Sequence, residues 1–171
     1  MKKQDFQEVF LKISLHRICD LYLGKLEVAL ATLTKQQLWQ PIAISNNSIG
    51  GMINHICEHI RMNEISLKNR KDTFTEDYVT FFPRSDTEPA EVITDLRTQI
   101  TEWREVLSEY INDTRKLEFE DLHELYNLVE HTSYHLGQII DRAQELTGKP
   151  FSFYKNGLNE RFLRSKVDEY I

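Results

Sequence analysis

Residues 120–150 read EDLHELYNLVEHTSYHLGQIIDRAQELTGKP, and this stretch decides the fold. Leu125, Val129, Leu136, Ile139, Ala143 and Leu146 follow the three- and four-residue spacing of a helix that buries one face. No proline interrupts the run until Gly148-Lys149-Pro150, a strong C-terminal stop. The spacing predicts a helix from about Glu120 to Thr147.

Working outward, Asp86, Thr87 and Pro89 look like a cap and first turn, opening a helix from about Pro89 to Ile111. Another runs from about Ser48 to Lys68 and buries Ile49, Met52, Ile53, Ile56, Ile60 and Leu67. The linker before it, from Trp39, ends in small polar residues suited to cap that helix. The first helix is expected from about Lys3 to Leu33, on Phe6, Val9, Phe10, Ile13, Ile18, Leu21, Tyr22 and Leu26. The tail from Lys155 to Ile171 is long enough for a short fifth helix. From Asn69 to Glu88 the pattern breaks down, and Phe74, Tyr78, Phe81 and Phe82 argue for a long loop that packs.

Prolines occur only at Pro41, Pro83, Pro89 and Pro150, and the 171 residues hold six glycines. A sandwich or barrel needs a turn every 8–12 residues or so, and those turn residues are missing. With 40% apolar residues the chain can bury a real core, and its length fits one domain, residues 1–171. The fold expected is all-α: an antiparallel four-helix bundle with a long crossover loop and a short C-terminal helix.

A net charge of −6 and scattered basic residues give no footprint of a nucleic-acid binder. The N-terminal residues bring in acids at once and lack the apolar region of a signal peptide, and no apolar run reaches membrane-spanning length. Cys19 and Cys57 are isolated, so a cytoplasmic protein with free thiols is expected.

Six histidines carry the chemistry. Four form two His-x-x-x-His pairs, His55/His59 and His131/His135, on different helices. Residues four apart on a helix share a face, so both imidazoles of a pair reach one metal. A histidine from a second helix completes three nitrogen ligands and leaves a position open for water or substrate. At about 100° per residue, His135, Gln138 and Arg142 lie within about 40° of His131, and the apolar face centres about 110° away. His55 and His59 sit about 120° and 80° from the apolar centre of their helix. Both pairs are thus expected at the boundary between core and solvent. A single such pair is usually two solvated polar residues; two pairs on separate helices favour a metal. His16 and His123 have no such partner and read as solvated surface residues, and Cys57, pointing away from His55, reads as a small buried hydrophobe.

Asn47-Ser-Ile-Gly-Gly-Met-Ile-Asn-His55-Ile, followed by Glu130-His131-Thr-Ser-Tyr-His135-Leu-Gly-Gln138-Ile, resembles the DinB/YfiT-like family of metalloenzymes. The second, His-x-x-x-His-x-Gly-Gln-Ile, is the more specific half, and Arg70-Lys-Asp-Thr-Phe74 is similar to one functionally undescribed branch of that family. The resemblance spans about residues 5–150. It implies a four-helix bundle, often homodimeric, with nickel or zinc held by one histidine of the second helix and two of the fourth. Those map onto His55, His131 and His135; the Ser-Ile-x-x-x-x-x-His spacing chooses His55, while the local pattern alone leaves His59 as an alternative ligand. Relatives in that family include S-transferases and isomerases that use low-molecular-weight thiols such as bacillithiol or mycothiol.

An open three-histidine metal can hold a small thiol as its thiolate and deliver it to an electrophile. Alternatively, it can ionise a water and hydrolyse an ester or amide. Hydrolysis usually calls for a placed carboxylate, and Glu130 and Glu58 each turn about 60–100° away from the neighbouring ligand. Thiol transfer is therefore preferred, with hydrolysis second and a non-enzymatic metal-binding bundle as the rival of another class. Gln138 and Glu58 are candidates to orient a ligand imidazole, and Arg142 is placed to meet a carboxylate of thiol or substrate.

Overall fold

The breaker-free stretches are helical, and the computed structural model describes residues 6–41, 47–69, 82–112 and 117–168. Helix α1 (Phe6–His16) runs through a π-helical turn (Arg17–Tyr22) into α2 (Leu23–Leu30). Then follow α3 (Lys35–Trp39), α4 (Ile49–Asn69), α5 (Pro89–Asn112), α6 (Phe119–Thr147) and α7 (Glu160–Asp168). No strand occurs among the described residues.

The helix ends follow the local chemistry of the sequence. Ser48 Oγ accepts from the Gly51 N–H at 3.0 Å and caps α4. Pro89 occupies the first position of α5, but the capping position falls to Glu88, whose carbonyl accepts from Glu91 and Val92. Asp86 instead stands exposed beside Lys35, 3.1 Å away. Gly148 ends α6 at φ 65°, with its N–H on the Gln144 carbonyl. The short α3 falls between the end expected for the first helix, Leu33, and the linker expected from Trp39. Its start is a reciprocal Thr34–Gln37 pair, in which each side chain accepts from the other residue's backbone N–H.

One contiguous core draws residues from every described helix. Helix α4 lies at its centre, against both α5 and α6, while α2 packs on α6 and α7 on α1. That position corrects the boundary expected for the first histidine pair, since His55 is fully buried and His59 nearly so; His135 of the second pair is buried too, and only His131 stays at the boundary. The covered flanks of α4 take in His55 and His59, while Arg61 and Lys68 keep to the face that reaches water.

The residues ahead of α5 are pinned to α3 and α4. Trp39 Nε1 donates to the Thr87 carbonyl at 2.8 Å, Arg84 donates to the Trp39 carbonyl at 2.8 Å, and Asn54 Nδ2 donates to the Pro83 carbonyl at 3.0 Å. The rest of the expected aromatic loop, residues 70–81, lies outside the described residues.

Gly50 is where the Trp39 ring meets α4. A Cβ there would lie 2.5–2.7 Å from three carbons of the Trp39 ring. Alanine ordinarily gains about 1 kcal/mol over glycine inside a helix. Here overpacking against a ring held by its own hydrogen bond reverses the sign, and Gly50→Ala is expected to destabilise by about 1–3 kcal/mol. A urea midpoint equal to or above that of the parent would refute this account of Gly50.

Candidate metal centre

His55 enters from α4, and His131 and His135 from successive turns of α6. Their Nε2 atoms converge: His131 Nε2 lies 3.3 Å from His55 Nε2 and 3.2 Å from His135 Nε2. The three ligand atoms all fall within 4.8 Å of one another. Zinc–nitrogen distances of about 2.0–2.1 Å in a tetrahedron put two ligand nitrogens about 3.3–3.4 Å apart, so the His131 contacts already match such an edge. These three histidines could hold a metal ion.

His59 stands beside this set rather than in it. Its ring stacks on His131, with centroids 3.9 Å apart, and meets His55 edge-on at 4.4 Å.

The electrostatics favour neutral imidazoles, the form that ligates metal. Burial, followed by the neighbouring His135 and His55, pushes His131 down to about 4. Burial and the same crowd of imidazoles push His59 down to about 3. His135 is also lowered, chiefly by burial, with Arg142 adding to the effect and Gln138 opposing it.

Gln138 Oε1 lies 2.9 Å from His135 Nδ1, and Gln138 Nε2 donates to the Tyr134 hydroxyl at 3.1 Å. A carbonyl oxygen only accepts, so His135 carries its proton on Nδ1 and turns the lone pair of Nε2 toward the cluster. The Tyr134 hydroxyl tethers the other end of the amide. Gln138→Ala is expected to weaken divalent-metal binding by about 10–100-fold, read by metal titration. Unchanged affinity would show that this bond does not orient the ligand.

The other residues singled out from the sequence lie elsewhere. Both Glu58 carboxylate oxygens accept from Arg61, at 2.9 and 2.6 Å, and that partner holds the carboxyl below its usual range. Arg142 Nη1 donates to the Asn47 carbonyl at 3.3 Å and lies 3.3 Å from Met52 Sδ, fastening α6 to the start of α4. Glu130 is exposed, and so is Gly137, where a Cβ would meet nothing within 4 Å; nothing in the structure explains that glycine. Cys57 is half-buried against the core, and burial raises its thiol to about 12.

Phe82 is the site residue that the sequence pattern did not single out. Its ring stacks on His55 at 4.2 Å and meets His135 edge-on at 5.8 Å, placed there by the Asn54–Pro83 bond. The expectation of packing aromatics between α4 and α5 was the available signal, but it did not distinguish Phe82 from its neighbours. His16 corrects a second expectation. It is buried rather than solvated, because Asp20, one turn on, holds its Nδ1 at 2.7 Å.

Fold and site together define an all-helical protein with a three-histidine cluster able to hold a metal. Comparisons with models of known families, with curated proteins and with solved structures found no match for this chain. No described helix is long and apolar enough to cross a membrane.

Proposed function

We propose that the protein is a DinB-like, divalent-metal-dependent S-transferase that joins a low-molecular-weight thiol to a small electrophile. The observation that carries this reading is the convergence of three Nε2 atoms from two helices on one point. His55, His131 and His135 would hold nickel or zinc, with His59 packed behind His131. Bound there, the metal supplies Lewis acidity at an open position, which keeps a thiol deprotonated at neutral pH.

The residues around it do the rest. Gln138 holds the tautomer of His135, and the Phe82 ring over His55 offers an apolar surface to an electrophile. His131 is only partly buried and Tyr134 is exposed, so this is the side from which small molecules would approach. Hydrolysis is the weaker reading: Glu58 is held by Arg61 and Glu130 stands in solvent, which leaves neither as a base.

The same proposal takes the helices as an antiparallel four-helix bundle with a crossover between α4 and α5, dimeric and cytoplasmic. Two free cysteines agree with a reducing compartment. Sedimentation at micromolar concentration tests the dimer.

The activity test is conjugation of a chromogenic electrophile with bacillithiol, cysteine or glutathione, comparing metal-loaded protein with His135→Ala. The proposal expects thiol-dependent turnover that the variant loses. Equal rates with every thiol would overturn the transferase. Ester or amide turnover without thiol, lost in the variant, would put a hydrolase in its place. Silence in both assays at confirmed metal occupancy would leave a non-enzymatic metal-binding protein.

A further inference from the structure

A cavity of about 130 Å³ opens between α1 and α5, lined by none of the histidines of the metal cluster. Helix α1 contributes Lys12, Leu15 and His16, and α5 contributes Arg104, Ser108 and Ile111. Two of these are unusual for a wall. Lys12 and His16 are each only 6% exposed, and lysine is almost never buried so far unless it has a partner.

The charges are held in place from outside the cavity. Lys12 Nζ bonds Glu8, a half-exposed residue, at 2.5 Å. Asp20, on the π-helical turn, accepts from His16 Nδ1 at 2.7 Å through one oxygen and from Arg104 Nη2 at 3.1 Å through the other. A carboxylate can only accept, so His16 carries its proton on Nδ1. Asp20 therefore orients an imidazole and a guanidinium together, and it does so from a π turn, a local distortion that recurs at functional sites. Among the described residues, no carboxylate lines the cavity itself.

We propose that this cavity is a binding site for a small organic carboxylate. Arg104 and Lys12 supply the counter-charges, Ser108 a hydroxyl donor, and Leu15 and Ile111 a surface for the apolar body. Size sets the class: an apolar cavity of about 150 Å³ accommodates benzene, so the ligand has about six non-hydrogen atoms. Leu15 and Ile111 select against inorganic phosphate, which has no apolar body to set against them and would lose hydration on that side.

The probe is butyrate, with butyramide as its uncharged counterpart and phosphate as competitor. Binding is followed by calorimetry and by amide chemical shifts of α1 and α5. The proposal expects saturable butyrate binding, at least about tenfold tighter than butyramide. It also expects a similar weakening in Lys12→Met and Arg104→Gln, loss in the cavity-filling Ser108→Phe, and no change in His131→Ala. The contrast of butyrate with butyramide in the parent protein needs no variant to fold. Equal affinity for the two, or displacement of butyrate by equimolar phosphate, would overturn the proposal. So would butyrate binding that vanishes in His131→Ala but survives in Lys12→Met, since that pattern places the carboxylate on the metal.

Discussion

Alanine at position 131 is expected to lower affinity for zinc or nickel by about two to three powers of ten. Structural zinc contributes about 10–16 kcal/mol through four ligands, or about 2.5–4 kcal/mol for each. At about 1.4 kcal/mol per power of ten, losing one ligand gives that factor. His131 is the choice because its Nε2 touches both of the others, at 3.3 and 3.2 Å. It also provides most of the stacking contact of His59, so the control is His59→Ala. If the cluster is the metal site, His59→Ala loses less than about tenfold, since it removes a neighbour and no ligand. The measurement is competitive metal titration against a chromophoric chelator, beside elemental analysis of the protein as purified. Far-UV circular dichroism confirms that both variants keep their helices. Parental affinity in His131→Ala would remove the site, and equal losses in the two variants would make His59 a ligand.

The legible part of this protein is what period and punctuation carry. The α6 stretch shows its apolar stripe and its Gly148 stop, and α4 and α5 lie within a residue or two of where periodicity puts them. The π turn was not legible, because one extra residue inside Arg17–Tyr22 hides within an already loose three-to-four spacing. Helix α3 was legible in principle, since Thr34 and Gln37 form a recognisable capping pair, but five residues give no periodicity to draw attention to it.

The site divides in the same way. Spacing along one helix makes His131 and His135 neighbours, at 3.2 Å between their Nε2 atoms. That His55 rather than His59 turns its nitrogen to them depends on how α4 is rotated against α6, which no local pattern states. The depth of His55 and the cover of Phe82 depend on α4 being enclosed on two sides. Asp20 was visible one turn from His16, but Arg104, its other partner, lies 84 residues away on α5.

The histidine helix is itself held by a buried polar contact, and this yields the largest stability effect expected. Trp103 of α5 is fully buried, and its Nε1–H donates to Asn63 Oδ1 of α4 at 2.9 Å. Asn63 lies one turn beyond His59 and is itself only 6% exposed. Trp103→Ala removes the largest fully buried side chain among the described residues and leaves a cavity that the flanking helices can close only in part, costing about 3–5 kcal/mol. Trp103→Phe keeps most of the volume but takes the donor from a buried carbonyl oxygen, costing about 1–3 kcal/mol. Urea unfolding measures both, with an unchanged slope showing that stability alone has moved. A loss below about 1 kcal/mol in Trp103→Ala would mean that α4 and α5 do not pack through this ring. The phenylalanine variant separates scaffold from site: it disturbs α4 a full turn from His59, while the Nε2 cluster is closed by α6. Its metal affinity is therefore expected to stay within a few-fold of the parent's, even as its urea midpoint falls.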